Sequence, residues 1–211
     1  MKKFAILFSF LSLFLVGCGN TNTNINNETN SAVTTENIIS NTNGFNASRL
    51  STNTPNAPEI KEEQISTFST KISQDDASRQ KNISLGCAEL NGTIVKAGET
   101  FSFCNTLGPA TPEKGYEKAE TFDSDGNTIM DYGGGKCQIS STLYNAVLAV
   151  PTLTVVERYP HSKRVYYVEE GKDATVCYGS VDFKFRNNND FDIKIVATGE
   201  QDTLTVSLFK I

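Results

Sequence analysis

A cysteine, a histidine and an aspartate, in that chain order, are the residues best suited to chemistry. Cys137 follows the glycine run Gly133-Gly134-Gly135 and Lys136. Ile139, Leu143, Ala146, Val147 and Val150 then recur at helical spacing until Pro151, which cannot continue a helix. This pattern predicts Cys137 in the first turn of a helix, beside unpaired N–H groups and the positive end of the dipole. With the Lys136 cation adjacent, a stabilised thiolate is expected, and the thiolate is the reactive form of cysteine. His161 is the single histidine of the chain and lies in Tyr159-Pro160-His161-Ser162, a constrained loop that would aim its ring. Asp173 follows in a Gly-Lys-Asp turn; Asp182 and Glu157 are rival partners for the imidazole. In such a constellation His161 takes the thiol proton, Asp173 fixes the imidazole tautomer, and Cys137 attacks an acyl carbon. The backbone N–H groups of Cys137 and Gln138, or the Gln138 amide, are the expected oxyanion donors.

The same stretch has other readings. Gly134 and Gly135 precede a helix, where N–H groups can cradle a carboxylate or phosphate. The Lys-Ser/Thr ending of a nucleotide-binding P-loop is missing. Ser141 belongs to a hydroxyl cluster and is a candidate nucleophile or ligand contact, although such hydroxyls usually bond the local backbone. A free cysteine often simply packs, so a Cys137 buried away from any cleft would favour a structural role. Cys87, Cys104 and Cys177 allow at most one disulfide, and their spacing does not choose it. No metal site is expected, because Cys104, Cys137, His161 and Cys177 would have to converge from distant positions without ligand-pair spacing. No cofactor is expected either.

The positioning elements follow from the remaining pattern. The chain has 211 residues, a formal charge of -5 and 38% hydrophobic residues, which suits one domain of ordinary size and gives no basic surplus for nucleic acid. Residues 1–17 read as a signal peptide, with Lys2 and Lys3 before an apolar run. Its end, Leu15-Val16-Gly17-Cys18, is similar to the bacterial lipobox, so lipid on Cys18 is the expected anchor at the outer face of the cell membrane. Residues 18–58, rich in Asn and Thr, read as a disordered tether with an r.m.s. span of ~35 Å. Residues 59–211 form the folded domain. Strands are expected at 65–72, 93–95, 100–103, 153–158, 164–168, 181–185, 191–195 and 204–208. A helix capped near Asp75-Asp76 should end at Asn91-Gly92. A hairpin should turn at Asp123-Ser124-Asp125-Gly126-Asn127. The expected class is α+β: an antiparallel sheet carrying two main helices, with Cys137 at the start of the second. By analogy of element order, the arrangement is similar to papain-like and NlpC/P60-like peptidases, which cut peptidoglycan peptides.

Three stretches carry a family resemblance. GGGKCQISSTLYNA, GETFSFCNTLGPATPEKGY and ERYPHSKRVYYVEEGKDATVCYGSVDFKFRNNNDF resemble the motifs of the VanW family, from about Phe68 to about Ile195. The resemblance implies a link to the bacterial cell envelope and to glycopeptide resistance, with peptidoglycan or its precursors as partner. It implies no established reaction. An apolar residue usually stands at position 136 in the family pattern, an arginine at 172 and an asparagine at 104. Two functions are therefore expected as alternatives: a thiol amidase, peptidase or acyl-transferase for cell-wall peptides, or a non-catalytic module that binds peptidoglycan or precursor peptide ends.

Overall fold

The computed structural model describes residues 61–123 and 125–211. The expected signal peptide, the lipidated Cys18 and the tether at 18–58 lie outside the described residues. Among those described, no helix is long and apolar enough to cross a membrane.

The first sheet has four antiparallel strands in the order β1 (Glu63–Lys71), β9 (Thr203–Lys210), β8 (Ile193–Glu200) and β2 (Ile94–Val95). Ile193, Ile195, Leu204, Val206 and Leu208 alternate along β8 and β9 and are fully buried. Two helices cover that apolar face. Helix α1 (Ala77–Leu90) starts where expected: the Asp76 carboxylate accepts the Arg79 N–H at 2.8 Å, a side-chain cap. Helix α3 (Lys136–Leu148) packs beside it and contributes Ile139, Leu143, Ala146 and Val147. Gln138 through Leu143 are buried without interruption, so α3 is enclosed on every side over that stretch.

The second sheet has the order β3 (Thr100–Ser102), β7 (Lys184–Asn187) and β6 (Leu153–Glu157). Its aromatic residues extend the same core: the Phe101 and Phe185 rings lie 5.1 Å apart, and Tyr144 of α3 meets Phe183 edge-on at 5.5 Å. The third is a hairpin of β4 (Lys118–Phe122) and β5 (Thr128–Tyr132), turned as expected. The Asp123 carboxylate accepts the Asp125 and Asn127 N–H groups at 2.9 and 2.7 Å, an Asx-type closure.

The α+β class holds, with three corrections in detail. The strands form separate sheets instead of one. The strand expected to run through Phe103 stops at Ser102, because the Ser102 hydroxyl caps a short helix, α2 (Phe103–Leu107). No strand forms at 164–168: its backbone joins no strand ladder. Val165 is buried and anchors an irregular loop.

The glycine turn joins these layers. Gly133 and Gly135 have φ of 79° and 115°, the left-handed region that favours glycine. A Cβ at Gly134 would stand 2.8 Å from the Glu120 carbonyl, and one at Gly135 2.8 Å from Ile83 Cγ1. The fully buried Asn82 side chain binds this turn to α1, donating to the Gly134 carbonyl at 3.1 Å and to the Glu117 carbonyl at 2.9 Å. At Gly92 φ is also positive, but a Cβ there would meet nothing within 4 Å. Gly92→Ala should therefore cost about 1 kcal/mol, and Gly135→Ala roughly 2–4 kcal/mol, because the clash adds to the conformational strain. Urea unfolding of the two variants checks the order.

Candidate functional site

One face of α3 grips an extended segment residue by residue. Asn145 Nδ2 donates to the Lys172 carbonyl at 2.7 Å. The Ala174 N–H donates to Ser141 Oγ at 2.9 Å. The Val176 N–H approaches Cys137 Sγ at 3.5 Å, and the Cys137 thiol donates back to the Val176 carbonyl at 3.4 Å. Four helical residues rise ~6 Å and two extended residues ~6.6 Å. Steps of four on the helix therefore match steps of two on the strand, and the segment runs antiparallel to α3.

That grip presents Asp173. Its Oδ2 accepts both the backbone N–H and Nδ1 of His161, each at 2.6 Å. Its Oδ1 accepts Arg158 Nη2 at 2.7 Å, while Arg158 Nε donates to the Asp173 carbonyl at 2.5 Å. Burial pushes the Asp173 carboxyl up, but the hydrogen bonds from His161 outweigh it and hold the group below its ordinary range. Tyr159 and Thr175 form an isolated antiparallel bridge beside this pair. Together they close the neck of the 160–172 loop, whose ends meet as in an Ω-loop.

Of the expected triad, the structure thus joins His161 to Asp173. The rivals are engaged elsewhere: Glu157 pairs with Lys184 at 2.7 Å, and Asp182 accepts the Ser102 hydroxyl at 2.6 Å and the Cys104 N–H at 2.9 Å. On the Nε2 side of His161 lies the Tyr167 hydroxyl, 3.5 Å away. Tyr167 is itself close enough to Cys137 and Ser141 for both to act on its ionisation. Burial, and then the cysteine, push that ionisation up.

Cys137 stands at the helix start, as expected, but in a different electrostatic setting. Burial pushes its thiol up, against smaller opposite effects of the Val176 backbone and the Arg79 guanidinium. The expected Lys136 cation is turned away: its Nζ donates to the Gly108 carbonyl at 2.8 Å and lies 4.8 Å over the Tyr116 ring. The physical reason is helical: consecutive side chains diverge by about 100°, so Lys136 and Cys137 cannot share a face. The expected stabilised thiolate is therefore not what this environment favours.

The expected oxyanion and ligand groups are also largely committed. Gln138 is fully buried; its amide donates to Thr70 Oγ1 at 3.1 Å and to the Lys71 carbonyl at 2.8 Å, and accepts Arg79 Nη2 at 3.0 Å. Its backbone N–H donates to the Gly135 carbonyl at 2.9 Å. Ser141 donates to the Cys137 carbonyl at 2.7 Å, besides accepting from Ala174. Gly134 and Gly135 are packed so tightly against Glu120 and Ile83 that neither position admits a side chain. Among the described residues, no group of three or more His, Cys, Asp or Glu is placed to hold a metal ion.

Two open spaces adjoin the 160–172 loop. A cavity of about 360 Å³ is lined by His161, Lys163, Arg164, Val165, Glu170 and Asp173. A wider groove of about 560 Å³ is lined by Phe68, Arg164, Tyr166, Tyr167, Glu169 and Lys172. Cys137 lines neither. Sequence reasoning missed Arg158 and Asn82. Asn82 alone left a signal, as a polar residue adjoining the apolar stripe of α1.

Two outcomes are expected. Iodoacetamide at neutral pH should modify exposed Cys177 first and leave Cys137 unlabelled until the chain unfolds, as peptide mapping would reveal. Because the Asp173 carboxyl is held low, the stability it contributes is present above about pH 4 and is lost as pH falls through the folded-state value. The melting temperature should accordingly drop below about pH 4, and Asp173→Asn should abolish part of that drop.

Residues 78–209 match the family described as VanW like protein. The chain is 37% identical to the uncharacterized protein YoaR of Bacillus subtilis over 150 residues, covering 71% of this chain and 49% of that protein. It is 32% identical to the vancomycin B-type resistance protein VanW of Enterococcus faecalis over 133 residues, covering 61% and 48%. The chain thus spans about half the length of the curated relatives it matches. No solved structure matches, so the analogy to papain-like peptidases gains no support from known folds. The family match extends over more than half of the chain and includes the glycine turn, α3 and the loop closed by His161 and Asp173, and on that basis the chain belongs to the VanW family.

Proposed function

We propose that this domain is a non-catalytic binding module of the bacterial cell envelope, which takes a peptidoglycan or precursor peptide end into the groove beside the 160–172 loop. The observation that carries this reading is the lining of that groove: Arg164 and Lys172 supply positive charge, Glu169 negative charge, and Tyr166 and Tyr167 flat amphipathic surface. A cell-wall stem peptide ends in a carboxylate and carries a free amine, so it matches a groove of both signs. The tyrosines suit a peptide backbone or sugar, since each offers an apolar ring and a polar tip. Tyr166 remains 66% exposed, which leaves it free to cover a ligand. The name of the enterococcal relative places that protein in glycopeptide resistance, and the same general process is the context proposed for this chain. A lipid on Cys18 would hold the domain at the outer face of the membrane, within reach of such peptides.

A second reading, a thiol amidase, peptidase or acyl-transferase, is favoured by the 2.6 Å pairing of His161 Nδ1 with Asp173. It requires Cys137 to leave the Val176 backbone before it can attack. Calorimetric titration of the full chain with a muropeptide bearing a free peptide end distinguishes the two. Under the binding reading, Arg164→Glu and Lys172→Glu each weaken binding at least about tenfold, on the order of the 1.4 kcal/mol that one decade represents, while Cys137→Ala binds normally. Cleavage or transfer of the muropeptide that stops in Cys137→Ala would overturn it in favour of the enzyme. Absence of any binding would overturn both the groove assignment and the peptide ligand.

A further inference from the structure

Three cysteines meet around the 176–181 turn, and two of them share an acceptor. The Val181 carbonyl receives the Cys177 N–H at 2.8 Å and the Cys104 thiol at 3.5 Å. The Val181 N–H donates in return to the Cys177 carbonyl at 3.0 Å, so Cys177 and Val181 form a hydrogen-bonded antiparallel pair. Side chains of such a pair project to the same side. Through that shared oxygen the Cys104 sulfur lies no more than about 6 Å from the Cys177 nitrogen. Its own backbone is fixed by the bond from the Cys104 N–H to Asp182.

We propose that Cys104 and Cys177 form a disulfide that fastens α2 to the 176–181 turn. Cys87 is buried in the core between α1 and the first sheet. Cys137 is the competing partner, but its sulfur is engaged by the N–H and carbonyl of Val176. In extended backbone, successive residues present their hydrogen-bonding groups to opposite sides. The Val176 groups face α3, and those of Cys177 face Val181. Cys177 is exposed and Cys104 half-buried, so a soluble oxidant reaches Cys177 first. Burial pushes the Cys104 thiol up to about 12, which makes Cys177 the entry thiol. The chemistry is exchange with a small-molecule disulfide such as oxidised glutathione. The Cys177 thiolate attacks one sulfur and releases one small thiolate, leaving a mixed disulfide. Cys104, giving up its proton, attacks the Cys177 sulfur and releases the second. The two protein thiols are oxidised, and the small disulfide is reduced to two thiols.

The consequence is mechanical. Val176 and Cys177 are adjacent, so the bond would tie the segment that α3 grips to a second element across the molecule. The inference does not rest on the peptide-binding reading.

The test uses the full chain, oxidised with glutathione disulfide, blocked with N-ethylmaleimide in denaturant and digested with trypsin. Trypsin separates Cys87, Cys104, Cys137 and Cys177 into peptides 82–96, 97–114, 137–158 and 173–184, and Cys18 into 4–49. The expected product is a cross-link between 97–114 and 173–184 with a loss of 2 Da in intact mass, the two hydrogens removed by one disulfide. It should disappear in Cys177→Ser, whose exposed site leaves the fold undisturbed, and in Cys104→Ser. The melting temperature should rise on oxidation of the wild type and not of Cys177→Ser. A cross-link between 137–158 and 173–184 would overturn the proposal. So would a stable glutathione adduct on Cys177 that never resolves.

Discussion

The antiparallel grip of α3 on residues 172–176 is the constraint on which the rest of the site depends. Asn145, Ser141 and Cys137 each bind one backbone position of that segment. Without them the segment would have no fixed register, and Asp173 would have no fixed direction. Asp173 in turn holds the His161 ring and backbone, and through them the neck of the 160–172 loop. The groove and the cavity both depend on that loop. The chain of dependence thus runs from helix, to extended segment, to carboxylate, to loop, to open surface.

The chemistry of this arrangement explains its residue types. A hydroxyl at 141 both donates and accepts, so it can return one bond to its own helix while taking another from Ala174. A thiol at 137 is a weak partner with a longer reach, suited to the 3.4–3.5 Å separations from Val176. Asp173 is buried but not isolated: its two oxygens take three donors, among them a guanidinium, and such satisfaction is what makes a buried carboxylate tolerable. The glycine turn completes the enclosure. It lets α3 enter the core directly beneath β4, with backbone approaching so closely that no side chain fits between.

Much of the scaffold was legible because its signals are local. The caps of α1, the Asp123 hairpin and the start and end of α3 all follow from short-range patterns with one physical solution. The pairing of His161 with Asp173 was one of three that the sequence left open, beside Asp182 and Glu157, and tertiary placement chose it. What was not legible depends on tertiary placement. The charge of Lys136 sits next to Cys137 in sequence and points elsewhere in space. Gln138 looked like a free amide and is consumed by β1. Residues 164–168 carry strand composition but join no ladder, and buried Val165 anchors them as an irregular loop instead. In each case the local signal was real, and the surroundings decided its meaning.

The first sheet pairs β1 with β9, and Glu63 stands opposite Lys210. The two ends of the described domain are therefore neighbours, and the pairing of edge strand β1 with β9 joins segments almost the whole domain apart in sequence. Such a sheet closes late: loop-closure entropy must be met before the outermost strands can reward it. Within the described domain β9 is the last strand to be synthesised, so this fold cannot be completed until that whole domain has left the ribosome. Adjacent ends also make the unit easy to splice into a longer polypeptide, because an insertion at that point separates the host chain by only one strand spacing. A module of this topology can travel between protein architectures without changing its own interior.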